Sequence, residues 1–340
     1  MSWFIFALVC FLGWGLADLF YKLGADENDS SSHLKTAVWV GLVMGVVSLI
    51  LIPFAETDFS FASLVSNAIK YSPASLSYII SMVIGYAGLR YLELSIISPV
   101  QNASGAFSAI AMVIFFMVTG HIENIFDEFT TLDIIGIIFT VAGVVMLAIV
   151  ERKISEKELS EGHDLVGGHH VDGASLDGDQ VNPRKYKYGA LALIFPLLYC
   201  LFDTIGTAAD GIILDENAGL GLGEIDVIIL YGLTFMAAGI IAWLYMYLKN
   251  KVVYNPFKAS EKPKAIASVF EQFGQIFYVY AMAKNPVLAA PMIASYCICS
   301  VVLSRIFLKE KLTRNQTISV VLVIIGIVIL GISEGLAEMV

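Results

Sequence analysis

Apolar residues run through this chain in blocks about 20 long, broken by short polar stretches. That length is what the ~30 Å hydrocarbon core of a bilayer demands of a helix. The blocks predict ten apolar helices. The first five lie at approximately 3–23, 36–55, 75–95, 98–119 and 132–151, and the next five at 188–213, 225–248, 264–283, 287–307 and 315–334. Between the second and third, FSFASLVSNAIKY (59–71) reads as a short interfacial helix lying flat. HIENIFDEFTT (121–131) reads as an acidic connector.

Residues 152–187 interrupt the pattern. They are rich in Gly, Asp, Glu and Ser and nearly free of aromatics, a composition that cannot bury a core. They predict a polar, largely disordered linker between two halves, 1–151 and 188–340, each with five helices. His163, His169 and His170 lie in it among carboxylates, and a solvated linker and a metal-responsive loop are the two readings.

Polar residues gather where the third helix turns into the fourth. Tyr86, Arg90 and Glu93 precede the turn, and Pro99, Gln101 and Asn102 follow it. Proline suits the first turn of a helix, which places Pro99 near a helix start. Burying the Gln101 and Asn102 amides without partners would cost about 1–3 kcal/mol or more each. They call either for an interhelical hydrogen bond or for a cavity. The layout recurs at Tyr278 to Pro291, again with thirteen positions between tyrosine and proline, at a shift of 291 − 99 = 192. Trp14 and Asp18 are four apart, as are Tyr199 and Asp203, at a shift of 203 − 18 = 185. A seven-residue difference in loop length (192 − 185) reconciles the two shifts. Five helices per half reverse the second half, so the sequence predicts an all-α integral membrane protein of ten transmembrane helices in two inverted five-helix repeats.

Composition agrees. Of 340 residues 58% are hydrophobic and 15% charged, with a mean hydropathy of +0.79. A soluble domain is nearer a quarter charged. Cys10, Cys200, Cys297 and Cys299 all fall in apolar blocks and read as packing residues. The N-terminus, MSWFIFALVCFLG, has neither a basic n-region nor a cleavage site and reads as a span. Lys70 and Lys284 alone lie on the side of the termini, against the other 18 of 20 Lys and Arg (20 − 2) on the opposite side. The positive-inside rule then puts both termini outside the cell membrane and the 152–187 linker in the cytoplasm.

The stretches YAGLRYLELSIISPVQNASGAFSAI and YVYAMAKNPVLAAPMIASYCICSVVLSRIFLKEKLTRNQTISVVLVIIGIVIL resemble the EamA-type repeats of the drug/metabolite transporter superfamily. The second follows the family pattern more closely: an alanine-rich helix, a proline, an apolar helix, a Lys-Glu-Lys turn and a Gly-containing last helix. The resemblance implies a ten-helix carrier whose third, fourth, eighth and ninth helices surround a central cavity. It implies movement of metabolites, amino acids, sugars or drugs, often coupled to protons or by exchange.

A charge deep in a span costs about 2.5–3.5 kcal/mol on insertion scales, so each one is a functional candidate. Glu271, Gln275 and Tyr278 are spaced i, i+4, i+7, and Ser268 extends their face by a turn. Glu271 is the first candidate for coupling or substrate contact, the alternative being a pair with Arg90 or Arg305. Asp18 and Asp203 are the other coupling candidates, each about 15 residues, or roughly 22 Å, from its helix start and so off the midplane, the alternative being a helix-end carboxylate paired with Lys22 or capped by a neighbour. Arg90 and Glu93 are three apart and read as a pair. Tyr296 and Ser295 are candidates for the cavity wall, and Ser300 reads as a packing residue. Trp14 with Tyr199, and Tyr86 with Tyr278, read as either core aromatics or a cage for a cation. The substrate-binding set is then Trp14, Tyr86, Gln101, Asn102, Tyr199, Glu271, Gln275, Tyr278 and Tyr296.

The leading functional expectation is a secondary active transporter of a small polar metabolite, working by alternating access. The alternative within transport is an exporter of drugs or organic cations. Outside transport it is a membrane receptor or an intramembrane enzyme. No Walker-type loop or phosphorylated-aspartate motif suggests primary energy coupling. No His or Cys pair stands at ligand spacing inside the spans, so neither a metal, a cofactor nor a catalytic residue is expected. The expected partners are a small-molecule substrate, the lipid bilayer and, where coupling uses them, protons; no nucleic acid is expected, and the oligomeric state is left open.

Overall fold

The computed structural model describes residues 2–26, 28–57, 60–92, 94–122, 129–166, 194–215, 219–308 and 313–337. The helices are α1 (Trp3–Gly24), α2 (Ser32–Leu51), α3 (Phe61–Gly88), α4 (Leu94–Asn102), α5 (Ser104–Val118) and α6 (Thr131–Val166) in the first half. In the second they are α7 (Ile194–Leu214), α8 (Glu224–Asn250), α9 (Lys262–Lys284), α10 (Pro286–Ala294), α11 (Cys297–Phe307) and α12 (Arg314–Ala337). No strand occurs among the described residues. Among the described residues, seven helical segments are long and apolar enough to cross a membrane. α3 and α9 are not among them, and α9 is the helix that carries Glu271, Gln272 and Gln275.

The protein is a multi-pass membrane protein, apolar outside and partly polar within. Leu12, Ile114, Leu197, Ile241 and Val328 are exposed, whereas Ser81, Ser98, Thr140, Gln275 and Ser300 are buried. In water this would be inverted; in lipid, apolar surface costs nothing and interior hydroxyls supply interhelical bonds.

Each half packs mainly on the other. α1 lies along α9, α2 along α8, α3 along α7 and α6 along α12, while α4 and α5 meet α11 and α10. Close approach at α2–α8 depends on glycine: a Cβ on Gly41 would stand 2.5 Å from Phe235 O and 3.0 Å from Gly239 Cα.

Several sequence expectations need correction. Residues 59–71 do not form a separate flat helix; from Phe61 they are the start of the 28-residue α3, which runs through Pro73. Pro73 cannot donate to Ile69 O, but the Ser72 hydroxyl does so instead at 2.8 Å, so the turn keeps its bond. α6 continues to Val166, 15 residues into the expected linker (166 − 151). Glu, Lys and Leu in that stretch of the sequence are good helix formers. The rest of the linker, with His169 and His170, lies outside the described residues, as do most of 121–131 and Glu93.

The fourth and ninth predicted helices are each broken. The breaks fall at Ala103 and at Ser295–Tyr296, and 103 + 192 = 295. α4 and α10 are both nine residues long and coincide under the same shift (94 + 192 = 286). Pro99 is therefore not in a first turn; like Pro291, it is the sixth residue of its helix. The first turn of α10 has Pro286 instead, with the Asn285 side chain accepting from Leu288 N–H at 3.1 Å. At the second break the chain tightens, Tyr296 N–H bonding Ile293 O at 2.8 Å in a 3-10 fashion.

Candidate functional site

Helical spacing puts Trp14, Asp18 and Tyr21 on one face of α1, and Tyr199, Asp203 and Thr207 on one face of α7. These two faces meet Tyr78 and Tyr86 of α3, Gln101 and Asn102 of α4, and Glu271 and Tyr278 of α9 around a single cavity. Its space for the centres of water-sized molecules is about 50 Å³. One water needs roughly 10–15 Å³ on this measure, so the cavity is narrow, with room for a few waters.

Among the described residues, the wall carries three carboxylates, Asp18, Asp203 and Glu271, and no Lys, Arg or His. Asp18 Oδ2 accepts hydrogen bonds from Ser98 Oγ of α4 at 2.6 Å and Ser300 Oγ of α11 at 2.8 Å. Asp203 Oδ2 accepts from Ser104 Oγ, at the start of α5, at 2.6 Å. Both acids are thus tied to segments flanking the helix breaks. The Tyr21 hydroxyl reaches the Glu271 carboxyl and itself accepts from Tyr86 Oη at 3.3 Å.

Aromatic rings fill much of the remaining wall. Trp14 stacks on Tyr278 with centroids 5.1 Å apart and meets Tyr296 edge-on at 5.6 Å. Trp14 Nε1 donates to Glu271 O at 3.3 Å, which fixes the ring against α9. Tyr21 pairs with Tyr86 at 4.8 Å. At one end the hydroxyls of Tyr78 and Tyr278 are hydrogen-bonded to each other, and Tyr78 also donates to Thr207 Oγ1 at 3.1 Å.

Of the residues singled out from sequence, Trp14, Asp18, Tyr86, Gln101, Asn102, Tyr199, Asp203, Glu271, Tyr278 and Tyr296 line this cavity. Gln275 does not. It is buried between helices, as is Ser268, whose hydroxyl returns to Lys264 O at 2.8 Å. The polar stripe on α9 therefore divides between cavity and helix packing. The aromatic pairs also differ from expectation: Trp14 is paired with Tyr278 and Tyr86 with Tyr21, while Tyr199 Oη donates to Met82 Sδ at 3.5 Å. Asp203 is not near a helix end; it stands nine residues past the first described residue of α7 (203 − 194). Asn102 is satisfied largely within its own helix, its Nδ2 donating to Ser98 O at 2.8 Å. Arg90 donates to Asp26 O at 3.2 Å and to Tyr91 Oη at 3.2 Å, and Arg305 is exposed. Lys22 donates to Leu89 O and Leu92 O, both at 2.8 Å, capping the end of α3.

Sequence reasoning missed Tyr21, Tyr78, Thr207, Tyr231 and Ser104, which also line the cavity. For Tyr21 the signal was present, since it continues the Trp14–Asp18 spacing. Ser300, read as packing, is an Asp18 ligand. Serine in a span bonds its own carbonyls or a neighbour equally well, so its sequence context does not say which.

The comparisons with known proteins agree with this architecture. The EamA-like transporter family matches residues 218–332. The uncharacterized protein MJ1333.1 of Methanocaldococcus jannaschii is 30% identical over 144 residues, which are 42% of this chain and 98% of that protein. That relative is thus close in length to one half of this chain. A protein of known crystal structure has the same fold, with a TM-score of 0.54 over 96% of this chain and 95% of its own, at 12% identity. The chain belongs to the EamA-like transporter family of membrane proteins.

Proposed function

We propose that the protein is a secondary active transporter of a small polar metabolite that carries a positive charge, an amine or ammonium compound. The observation that carries this reading is the cavity wall, with Asp18, Asp203 and Glu271 on it and no basic side chain among the described residues. Three acids in a low-dielectric site repel an anionic substrate and attract a cation. The faces of Trp14, Tyr86, Tyr199, Tyr278 and Tyr296 add cation–π attraction of about 0.5–2 kcal/mol each where a cation sits over them. Glu271 is the principal coupling or substrate-contacting acid, with Asp18 and Asp203 beside it.

The same reading takes the chain as ten spans in two inverted repeats. Its supports are the coincidence of α4 with α10 under a 192-residue shift and helix pairings that join one half to the other. Broken helices are the usual means by which inverted-repeat carriers build a central site, around which the repeats rock to expose it alternately to two sides. The narrow cavity corresponds to a closed state, which must widen before a metabolite enters. By the Lys and Arg bias, the termini lie outside the cytoplasmic membrane and residues 152–187 inside.

Uptake into proteoliposomes tests this. A panel of cationic, zwitterionic and anionic metabolites, with and without an imposed pH gradient, should give flux for amines and none for anions. Flux confined to anions, or none across the panel, would overturn it.

A further inference from the structure

Asp210 is wholly buried in α7 and has no place in the cavity described above. It lies seven residues beyond Asp203 on the same helical face, with Thr207 between them. Four residues separate it from the end of α7 (214 − 210), about 6 Å along the axis. It therefore stands between the cavity and one surface of the protein.

Its surroundings are tyrosine. Tyr71 and Tyr278 bring their hydroxyls up to the carboxyl, and Tyr78 and Tyr231 lie close by. Neither Asp210 oxygen completes a hydrogen bond of good geometry, nor does the fully buried Tyr71 hydroxyl. Among the described residues, the charged and titratable groups facing Asp210 are thus Tyr71 and Tyr78 on α3, Tyr231 on α8 and Tyr278 on α9. None is a cation. A buried carboxylate with no counter-charge and no completed hydrogen bond is among the costliest states a protein can hold, and protonation removes that cost.

We propose that Asp210 is a proton-binding site, separated from the cavity by the Tyr78–Tyr278 pair and connected to it through their hydroxyls. Tyr278 comes up to Asp210 without completing a hydrogen bond in this state; from there the file is formed, Tyr278 to Tyr78 and Tyr78 to Thr207 Oγ1 at 3.1 Å. Asp210 gives its proton to Tyr278 Oη, Tyr278 passes its own to Tyr78 Oη, and Tyr78 passes its own to Thr207 Oγ1. Thr207, which lines the cavity, releases its own to cavity water. Each hydroxyl gains one proton and loses one. Asp210 is left as the carboxylate and the cavity gains the proton. The existence of the site does not depend on what the cavity transports; only its use in coupling rests on the transport reading.

Infrared spectroscopy of the purified full-length protein in lipid nanodiscs, titrated with pH, reads the site directly. The wild type should show the carbonyl stretch of a protonated carboxyl in an apolar setting. That band should shrink as pH rises, be lost in Asp210→Asn and return, shifted, in Asp210→Glu. Tyr71→Phe should shift it as well, because the Tyr71 hydroxyl faces the carboxyl. An unchanged spectrum in Asp210→Asn would overturn the proposal. So would a band that does not respond to pH while the protein stays folded, since that describes a static structural acid. If Asp210→Asn fails to fold, unshifted bands in both Asp210→Glu and Tyr71→Phe overturn it. Adding tetraphenylphosphonium as a cationic probe then tests coupling alone. A change in the Asp210 band supports coupling. No change removes the link to transport and leaves the proton site standing.

Discussion

Asp18 offers a quantitative test of how the site is held. Its Oδ2 receives hydroxyls from Ser98 at 2.6 Å and Ser300 at 2.8 Å, one from each of two broken helices. A hydrogen bond to a charged group contributes about 1.5–3 kcal/mol. Asp18 is only half-buried and the cavity admits water, so the lower value applies. Ser98→Ala and Ser300→Ala should each cost about 1.5 kcal/mol. In either single variant the other hydroxyl still serves the same oxygen; in the double variant that oxygen loses both. The double variant should therefore cost more than the sum, roughly 3 kcal/mol plus a coupling on the order of 0.5–1 kcal/mol. Reversible unfolding in mixed detergent micelles, run as a double-mutant cycle, measures this. Repeating the cycle on Asp18→Asn, which removes the charge, should shrink both single effects and the coupling. Single variants within about 0.5 kcal/mol of wild type, or a coupling that survives Asp18→Asn unchanged, would refute the reasoning.

Three further outcomes follow from the packing and the loops. A Cβ on Gly105 would collide with Ala294 Cβ and stand 2.8 Å from Ala290 O. Gly105→Val should therefore force α5 and α10 apart and cost about 1–3 kcal/mol or more, read as a lower melting temperature by size-exclusion thermal challenge. Lys264 and Glu261 form a nearly buried pair at 2.9 Å. Lys264→Met alone should destabilise by about 3–5 kcal/mol, and adding Glu261→Leu should recover most of the loss, since the orphaned charge is the larger part of the cost. Burial pushes the Asp29 carboxyl up, but Lys35 at 2.6 Å and the Ser31 N–H at 2.9 Å together hold it below the usual carboxylate range. Its contribution is present above the ordinary carboxylate pKa of about 4 and is lost as pH falls through the lowered value. Melting curves across acidic pH should show less acid sensitivity in Asp29→Asn than in wild type.

Much of this molecule is legible in its sequence because the bilayer imposes one constraint on every span. Apolar blocks reveal most of the helices, and the matched Tyr–Pro spacing carries the shift under which α4 and α10 coincide. The breaks themselves are not legible. Ala103 and Ser295 are ordinary in a helix, and Pro99 and Pro291 stand four residues before them. The cavity acids were visible as charges inside apolar blocks. Their ligands were not, because Ser98, Ser104 and Ser300 look like any small packing residue until the partner helix is known. Gln275 fails for the opposite reason. Spacing puts it on the face of Glu271 and Tyr278, but one helix face at this depth touches both cavity and neighbouring helix, and Gln275 is buried outside the cavity. Asp210 was overlooked although it follows Asp203 by two turns, since no counterpart exists in the first half: 210 − 185 gives Ala25.

The central claim is that the acidic, aromatic cavity takes a cation. Calorimetric titration of the purified protein tests it most directly, using a series of amines and alkylammonium ions, each beside the neutral compound in which carbon replaces nitrogen. The account predicts binding by charged members of the series alone, weakened at least tenfold, about 1.4 kcal/mol, in Glu271→Gln. Equal binding of the neutral partners, or undiminished binding in Glu271→Gln, would contradict it.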